Sequence, residues 1–191
     1  MKKIILIASL FLITSCVETI VAGTAVTGMV VAQDKPAKTT KDDIILEAKI
    51  DTAFIKAGLK DPRNKVGVIV DRQRVLLTGL VEHEKIAKVA NETAWKVEGV
   101  KEVIDEIQIE TGKSKINNFI YYFKDASITT QINTAALIAK GVDSLDFDVV
   151  TVNGIVYLIG SAKTQDQIKQ ITDIAASTVG VKKVINHIVL D

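Results

Sequence analysis

The sequence is short of the residues that most often carry chemistry or cross-links. Among 191 residues there are one cysteine, two histidines and two prolines, and aromatic residues make up 5% of the chain. A single cysteine excludes a disulfide framework within the chain. The formal net charge is +1, and neither half has an excess of basic residues. The sequence therefore indicates no basic face for nucleic acid.

The few candidate catalytic or metal-binding residues do not form a recognisable site. His83 lies between Glu82 and Glu84, but side chains adjacent in sequence rarely converge on one ion. His187 falls in a predicted strand, where we expect a surface position. No serine or threonine has a candidate general base at a sequence spacing that recurs along the chain. We therefore expect no catalytic residues, no bound metal, no cofactor and no enzymatic activity.

The amino-terminal segment predicts secretion and lipid attachment. Lys2 and Lys3 precede an apolar run over residues 4–13, which is of signal-peptide length and too short to span a bilayer comfortably. The following Thr-Ser-Cys, ending at Cys16, resembles the lipobox of bacterial lipoproteins. The resemblance implies a signal peptide over residues 1–15 and acylation of Cys16, with no other prosthetic group.

The segment after the cysteine predicts a tether, and its first residue bears on sorting. Val17, rather than aspartate, follows Cys16, which by analogy with lipoprotein sorting in Gram-negative bacteria implies the outer membrane. Small and polar residues, with Pro36, predict a lipidated tether and linker over residues 16–42. At its end, Asp42 or Asp43 is a candidate helix cap.

Internal repetition is the strongest pattern in the rest of the chain. The stretch GVKEVIDEI (99–107) returns 81 residues later as GVKKVINHI (180–188). Positions before it, such as Val75, Leu77 and Gly79, recur at the same offset, and earlier ones recur at an offset of 82. This pattern indicates a tandem duplication.

Each copy predicts the same order of elements. Apolar side chains at helical spacing predict a first helix, with stripes Leu46, Ile50, Ala53, Ala57 and Ile128, Ile132, Ala135, Ala139. A hairpin follows, and Asn153-Gly154 is a strong signal for a type I′ turn. A second helix ends at Gly99 in the first copy and Gly180 in the second, where we expect positive φ. An alternating strand closes each unit.

The predicted fold is therefore α+β, with two tandem α-β-β-α-β units. Each unit has a small mixed three-stranded sheet packed on two helices, since the strand–helix–strand crossover makes the last pair parallel. Gly79, Gly99, Gly160 and Gly180 are the predicted structural glycines. Because units of this size have marginal cores, we expect the two to pack together.

These residues resemble a known family, the BON domain. The resemblance rests on LLTG (76–79) with GVKEV, and on LIG (158–160) with GVKKV. It implies a first domain over residues 43–111, an interdomain linker over 112–123 and a second domain over 124–191. With the lipobox and the small-residue segment VAGTAVTG, the whole chain is similar to tandem-BON outer-membrane lipoproteins.

The resemblance implies a non-enzymatic lipoprotein at the periplasmic face of the outer membrane, which binds anionic phospholipid and supports membrane integrity. In such proteins the first helix of the second domain docks on lipid, which here corresponds to residues 125–139. The candidate lipid-binding residues are Ile138, Leu137, Lys124, Lys140, Tyr121 and Tyr122.

Two alternatives remain open at this point. The aromatic run over residues 119–123 suits either headgroup depth in a membrane or a packed interdomain linker. The pair of domains suits either phospholipid binding or an adaptor that binds an envelope protein, with the acyl anchor supplying only location.

Overall fold

A computed structural model describes residues 37–60, 64–110, 115–142 and 147–191. The signal peptide, Cys16 and the tether as far as Pro36 lie outside the described residues. Both repeats belong to one compact unit, Val31–Asp191. Among the described residues, no helix has the length and apolar character needed to cross a membrane.

The first repeat has the predicted order of elements. Its helices and strands are α1 (Ala37–Lys56), β1 (Lys65–Asp71), β2 (Arg74–Val81), α2 (Glu84–Trp95) and β3 (Glu102–Ile109).

The second repeat has the same order. It consists of α3 (Lys115–Ile138), β4 (Phe147–Val152), β5 (Ile155–Ala162), α4 (Gln165–Ser177) and β6 (Lys183–Leu190).

Each repeat forms its own three-stranded sheet, with β2 or β5 at the centre. The hairpin strands pair antiparallel, and the closing strand pairs parallel to the central one. The duplication extends to the register, because Val75 pairs with Val103 as Val156 pairs with Val184. The α+β class with two mixed sheets is therefore confirmed.

In α1 and α3 the first two residues of each predicted apolar stripe are buried in the core, but the third and fourth are not the ones predicted. In α1 the third buried position is Phe54, whereas Ala57 is exposed. In α3 it is Ala136, whereas Ala135 is only half-buried. The prediction followed i, i+4, i+7 spacing, but the buried side chains follow i, i+4, i+8. A row of residues four apart drifts slowly around the helix and so stays on one face over two turns.

Both first helices begin earlier than predicted. Residues 37–42, expected to be linker, are helical, and so are residues 115–123 of the expected interdomain linker 112–123. The expected helix cap at Asp42 or Asp43 is therefore wrong, because both residues lie inside α1. The contact of Asp43 is a different one. Asp43 is buried, and its carboxylate accepts hydrogen bonds from the backbone N–H groups of Arg72 (2.7 Å) and Gln73 (2.9 Å).

The same contact occurs in the second repeat. The Asp125 carboxylate accepts from the backbone N–H groups of Asn153 (2.7 Å) and Gly154 (2.8 Å). Asn153 and Gly154 have φ of 54° and 77°, as the type I′ prediction requires. Each repeat thus fixes its hairpin turn to its first helix through one aspartate.

Gly99 and Gly180 have the predicted conformation, but they lie beyond the helices they were expected to end, because α2 ends at Trp95 and α4 at Ser177. Gly99 has φ of 105° and Gly180 has φ of 96°. A Cβ at Gly180 would lie 3.1 Å from Cδ1 of Ile128, closer than the 3.6 Å between a Cβ at Gly99 and Cδ1 of Leu46. Gly79 and Gly160, within the central strands, also have positive φ.

The two sheets pack against each other through the faces that turn away from their helices. In β2, Val75 and Leu77 enter the first domain's core, and Leu76 between them enters a third apolar cluster. That cluster also contains Tyr157 and Ile159 of β5, with contributions from Ile69, Ile104, Val150, Val152, Ile155 and Ile185. The described residues therefore form four layers, with one helix pair on each outer side.

Polar contacts surround the third cluster. The side-chain amide of Gln108 donates to the Val152 carbonyl (3.1 Å) and to the Tyr157 hydroxyl (3.0 Å). Burial raises the pKa of the Tyr157 hydroxyl. His187, expected on the surface, lies instead at this boundary, with Nε2 at 3.0 Å from Oε1 of Glu106. That expectation is wrong because the strand has a second buried face.

Arginines of the first domain complete the boundary. Arg74 donates to the His187 carbonyl at 2.9 Å and forms an ion pair with Glu102. Arg72 forms an ion pair with Asp191, the last residue of the chain. The two domains are therefore joined by both apolar and charged contacts, as expected from the small size of each core.

Candidate lipid-binding site

Helix α3 presents its carboxyl-terminal apolar residues to solvent. Ile128, Ile132 and Ala136 face the core. On the opposite side Leu137 is 55% exposed and Ile138 is 80% exposed. Large apolar side chains at this exposure are accessible to a ligand, so both candidates lie where a lipid contact requires them.

The aromatic candidates lie at the other end of α3. Tyr122 and Phe123 are exposed, and their rings meet edge to face with centroids 6.0 Å apart. The described part of the aromatic run is therefore helical, with Tyr122 49% exposed and Phe123 56% exposed. The helix backbone includes Tyr121, but its side chain lies outside the described part of the structure.

Phe123 is an exposed member of the aromatic run, although it was not one of the six residues named as lipid-binding candidates. It lies fourteen residues before Leu137, and fourteen residues are close to four turns of helix. The two side chains therefore share one face of α3, about 20 Å apart along the axis. This heptad-like spacing was visible in the sequence, but the helix was expected to begin only after Phe123.

Hydroxyl residues occupy the face between the two apolar ends. Thr130 donates its hydroxyl to the Ala126 carbonyl (2.9 Å), and Thr134 donates to the Thr130 carbonyl (2.8 Å). These hydroxyls are satisfied within the helix, so they need little from solvent. The face is consequently less polar than its composition suggests.

Charge on this helix face is confined to its ends. Lys124 and Lys140 are exposed, and Asp125 is turned toward its hairpin. The Lys140 carbonyl accepts a hydrogen bond from the Gln170 side chain (3.1 Å), which ties the end of α3 to α4. The positive charge near this face therefore comes from one lysine at each end.

The described residues hold no group of three or more side chains suited to a metal ion. His83 precedes α2, and its side chain makes no capping hydrogen bond there. What α3 offers is a mixed apolar and hydroxyl surface bordered by lysines, which is a surface for contact.

Comparison with known proteins finds relatives along nearly the whole chain. The BON domain family model matches residues 42–111 and 124–191. The outer membrane lipoprotein DolP of Haemophilus influenzae is 33% identical over 184 residues, which cover 96% of this chain and 93% of that protein.

A second relative and a solved structure are more distant. Osmotically-inducible protein Y of Escherichia coli is 33% identical over 141 residues, covering 72% of this chain and 69% of its own length. The solved structure of CdsD, a structural protein of the type III secretion system of Chlamydia trachomatis, covers 77% of this chain and 92% of its own, with 12% identity and a TM-score of 0.31.

Proposed function

The chain belongs to the BON-domain family as a tandem, DolP-like outer-membrane lipoprotein, and from this premise we propose that it is a non-enzymatic protein that binds anionic phospholipid. On this proposal Cys16 carries the lipid, the domains face the periplasm, and binding supports the integrity of the outer membrane. The single observation that carries it beyond family membership is the exposed apolar end of α3, formed by Leu137 and Ile138.

The physical argument for insertion is the location of Ile138. It lies at the last position of α3, and the next charged side chain is Lys140. An isoleucine that enters the acyl boundary gains its burial energy there, while a neighbouring lysine keeps its ammonium group at headgroup depth. Tyr122 supplies an amphipathic ring of the type enriched at the membrane interface, and Phe123 adds an apolar ring in contact with it.

Co-sedimentation with phospholipid vesicles tests the proposal. We expect residues 34–191, which lack the lipid, to bind vesicles that contain phosphatidylglycerol, and Ile138→Glu to reduce this binding several-fold. The thermal transition should hardly change, because Ile138 is 80% exposed. Ile109→Glu is the matched control, since it makes the same substitution at an exposed residue of β3 and leaves α3 unaltered.

Two outcomes would contradict parts of the proposal. If Ile138→Glu and Ile109→Glu bind equally well, α3 is not the docking surface. If the parent protein binds no vesicle of any composition, phospholipid is not its ligand, and the adaptor function becomes the better account.

The proposal also predicts an effect in cells. Cells that carry Ile138→Glu should take up a large antibiotic that an intact outer membrane excludes.

A further inference from the structure

Helix α1 carries an exposed apolar face on the side opposite its core stripe. Ile44 is 61% exposed and Ile55 is 65% exposed. At 100° per residue, Ile44, Ala48 and Ile55 lie along one side of the helix, away from Leu46, Ile50 and Phe54. Ile45, also exposed, extends this face laterally. We refer to Ile44, Ile45, Ala48 and Ile55 as the α1 face.

Three lysines border the α1 face. Lys41, Lys49 and Lys56 are exposed, and no ion pair engages them within the described part of the chain. The equivalent positions of α3 have no such charges, since Gln131 corresponds to Lys49 and Ile138 to Lys56 at an offset of 82. Of the two first helices, α1 therefore has the stronger attraction for an anionic surface.

The acidic residues of α1 are mostly buried or paired, including Asp51, which by helical spacing lies on the same side as Ile44 and Ile55. Asp43 is buried against the hairpin turn, and Asp51 forms an ion pair with Lys60 at 2.7 Å. Burial raises the pKa of Glu47 to about 7, which reduces its charge near neutrality. Among the described acids of this helix, Asp42 is the exposed one beside the lysines.

The short segment between Cys16 and α1 keeps α1 close to the membrane in which the acyl chains of Cys16 are inserted. Lipidation at Cys16 leaves 21 residues to the start of α1 at Ala37, a span that cannot exceed about 75 Å. A tethered surface meets its target at high effective concentration, so a weak intrinsic affinity suffices. Lysines around isoleucines are the composition expected of a helix that lies in a bilayer interface.

We propose that the α1 face, with Lys41, Lys49 and Lys56, is a second docking surface, whose ligand is a bilayer containing anionic phospholipid. The inference rests on the proposed function in taking anionic phospholipid as the ligand. Because α1 and α3 lie on opposite outer layers, one flat bilayer contacts only one of them at a time. Docking through α1 turns the α3 surface away from the anchoring membrane.

Fluorescent labelling of the full lipidated chain in vesicles tests this inference. Acylation of Cys16 consumes the single native thiol, so Ile55→Cys or Leu137→Cys provides one labelling position on each outer layer. We expect an environment-sensitive label at position 55 to shift to the blue and to be quenched by spin-labelled lipid in phosphatidylglycerol vesicles. In phosphatidylcholine vesicles the same label should remain in water.

Charge removal supplies the matched comparison. The double substitution Lys49→Gln with Lys56→Gln should lower the equilibrium constant for membrane docking, as reported by the label at position 55, by about fivefold per lysine. Lys85→Gln with Lys88→Gln removes two exposed lysines from α2 of the same domain and should change it less than about twofold.

The outcomes separate the two proposals. A label at position 55 that is never quenched overturns the α1 surface, whereas quenching at position 137 alone leaves the proposed function intact. A blue shift at position 55 without vesicles would mean that the chain's own tether or a second copy covers the face, and this also overturns it. Equal quenching in both vesicle types overturns the role of the lysines.

Discussion

At the scale of single residues, one aspartate in each repeat, buried in the first and half-buried in the second, joins a helix to a hairpin. Asp43 and Asp125 occupy equivalent positions, and each accepts two backbone N–H groups from the turn between the first two strands. Their exact recurrence at an offset of 82 is visible in the sequence. An aspartate before an apolar helix nevertheless suggests a cap, which is why the contact was missed.

Replacing Asp43 with alanine should destabilise the fold by about 2–3 kcal/mol, because two hydrogen bonds to a charged acceptor are lost. Asp42→Ala is the control, since Asp42 is adjacent in sequence but exposed, and it should cost less than about 0.5 kcal/mol. Urea denaturation of both variants measures the difference. Equal costs would show that the turn contact contributes nothing to stability.

The pKa of Glu47 makes stability depend on pH. Burial is the main cause of the rise from 4.5 to about 7, and the carboxylates of Asp51 and Asp148 add to it. A carboxyl whose pKa is raised in the folded state favours folding while it is protonated. The unfolded state loses this proton near the ordinary value, so stability is lost as pH rises from about 4.5 to about 7.

Replacing Glu47 with glutamine should therefore stabilise the protein at pH 8 and have little effect at pH 4. The gain should be on the order of 1 kcal/mol, below the full linkage value because the carboxyl is partly solvated. Thermal unfolding at the two pH values measures it. Glu98→Gln, at an exposed residue, should show no such difference, and a pH-independent effect of Glu47→Gln would contradict the assignment.

At the scale of elements, the two hairpins reach one geometry with different residues. The second turn uses Asn153-Gly154, whose residues adopt positive φ readily. The first turn uses Arg72 and Gln73, with φ of 54° and 66°. Non-glycine residues in this region cost about 1–2 kcal/mol each. The first hairpin therefore carries strain that its aspartate and its strand pairing offset.

Gln73→Gly should relieve part of this strain and stabilise the protein by about 0.5–1 kcal/mol, net of the greater freedom of glycine in the unfolded chain. Gln73→Ala is the matched control, because it removes the side chain but retains the Cβ that causes the strain. Chemical denaturation compares the two. If alanine stabilises as much as glycine, the side chain is responsible and the backbone is not.

At the scale of the whole molecule, the two domains share one apolar cluster between their sheets. Tyr157 is almost fully buried in this cluster, although it belongs to the second domain. Trp95, the single tryptophan of the chain, lies in the first domain and reports on that domain alone. This arrangement makes coupling between the domains measurable.

Tyr157→Ala should lower the urea midpoint of Trp95 fluorescence, even though the substitution is in the other domain. A truncation of this size in a core costs about 3–5 kcal/mol, and the first domain loses packing along its outer sheet face. In the parent protein, fluorescence and far-UV circular dichroism should give one coincident transition. An unchanged fluorescence midpoint in the variant would mean that the domains unfold independently. Tyr122→Ala, at an exposed tyrosine, should leave both signals unchanged.

The sequence by itself determined the repeat, the order of elements, the parallel closing strands and the positive φ at Gly99 and Gly180. These features depend on local periodicity, on turn chemistry and on the handedness of a short crossover, all of which the residues of one segment specify. It also indicated Leu137 and Ile138 as residues off the core stripe, because helical spacing fixes which side chains share a face.

Only the tertiary structure decided what covers the second face of each sheet. The closing strands alternate polar and apolar residues, which predicts that one face of each strand is exposed. The polar residues Glu106, Gln108 and His187 nevertheless border the other domain. Alternation tells which residues share a face but not whether another sheet packs on it. The same packing puts α1 and α3 on opposite outer sides, because each central strand is buried on both of its faces.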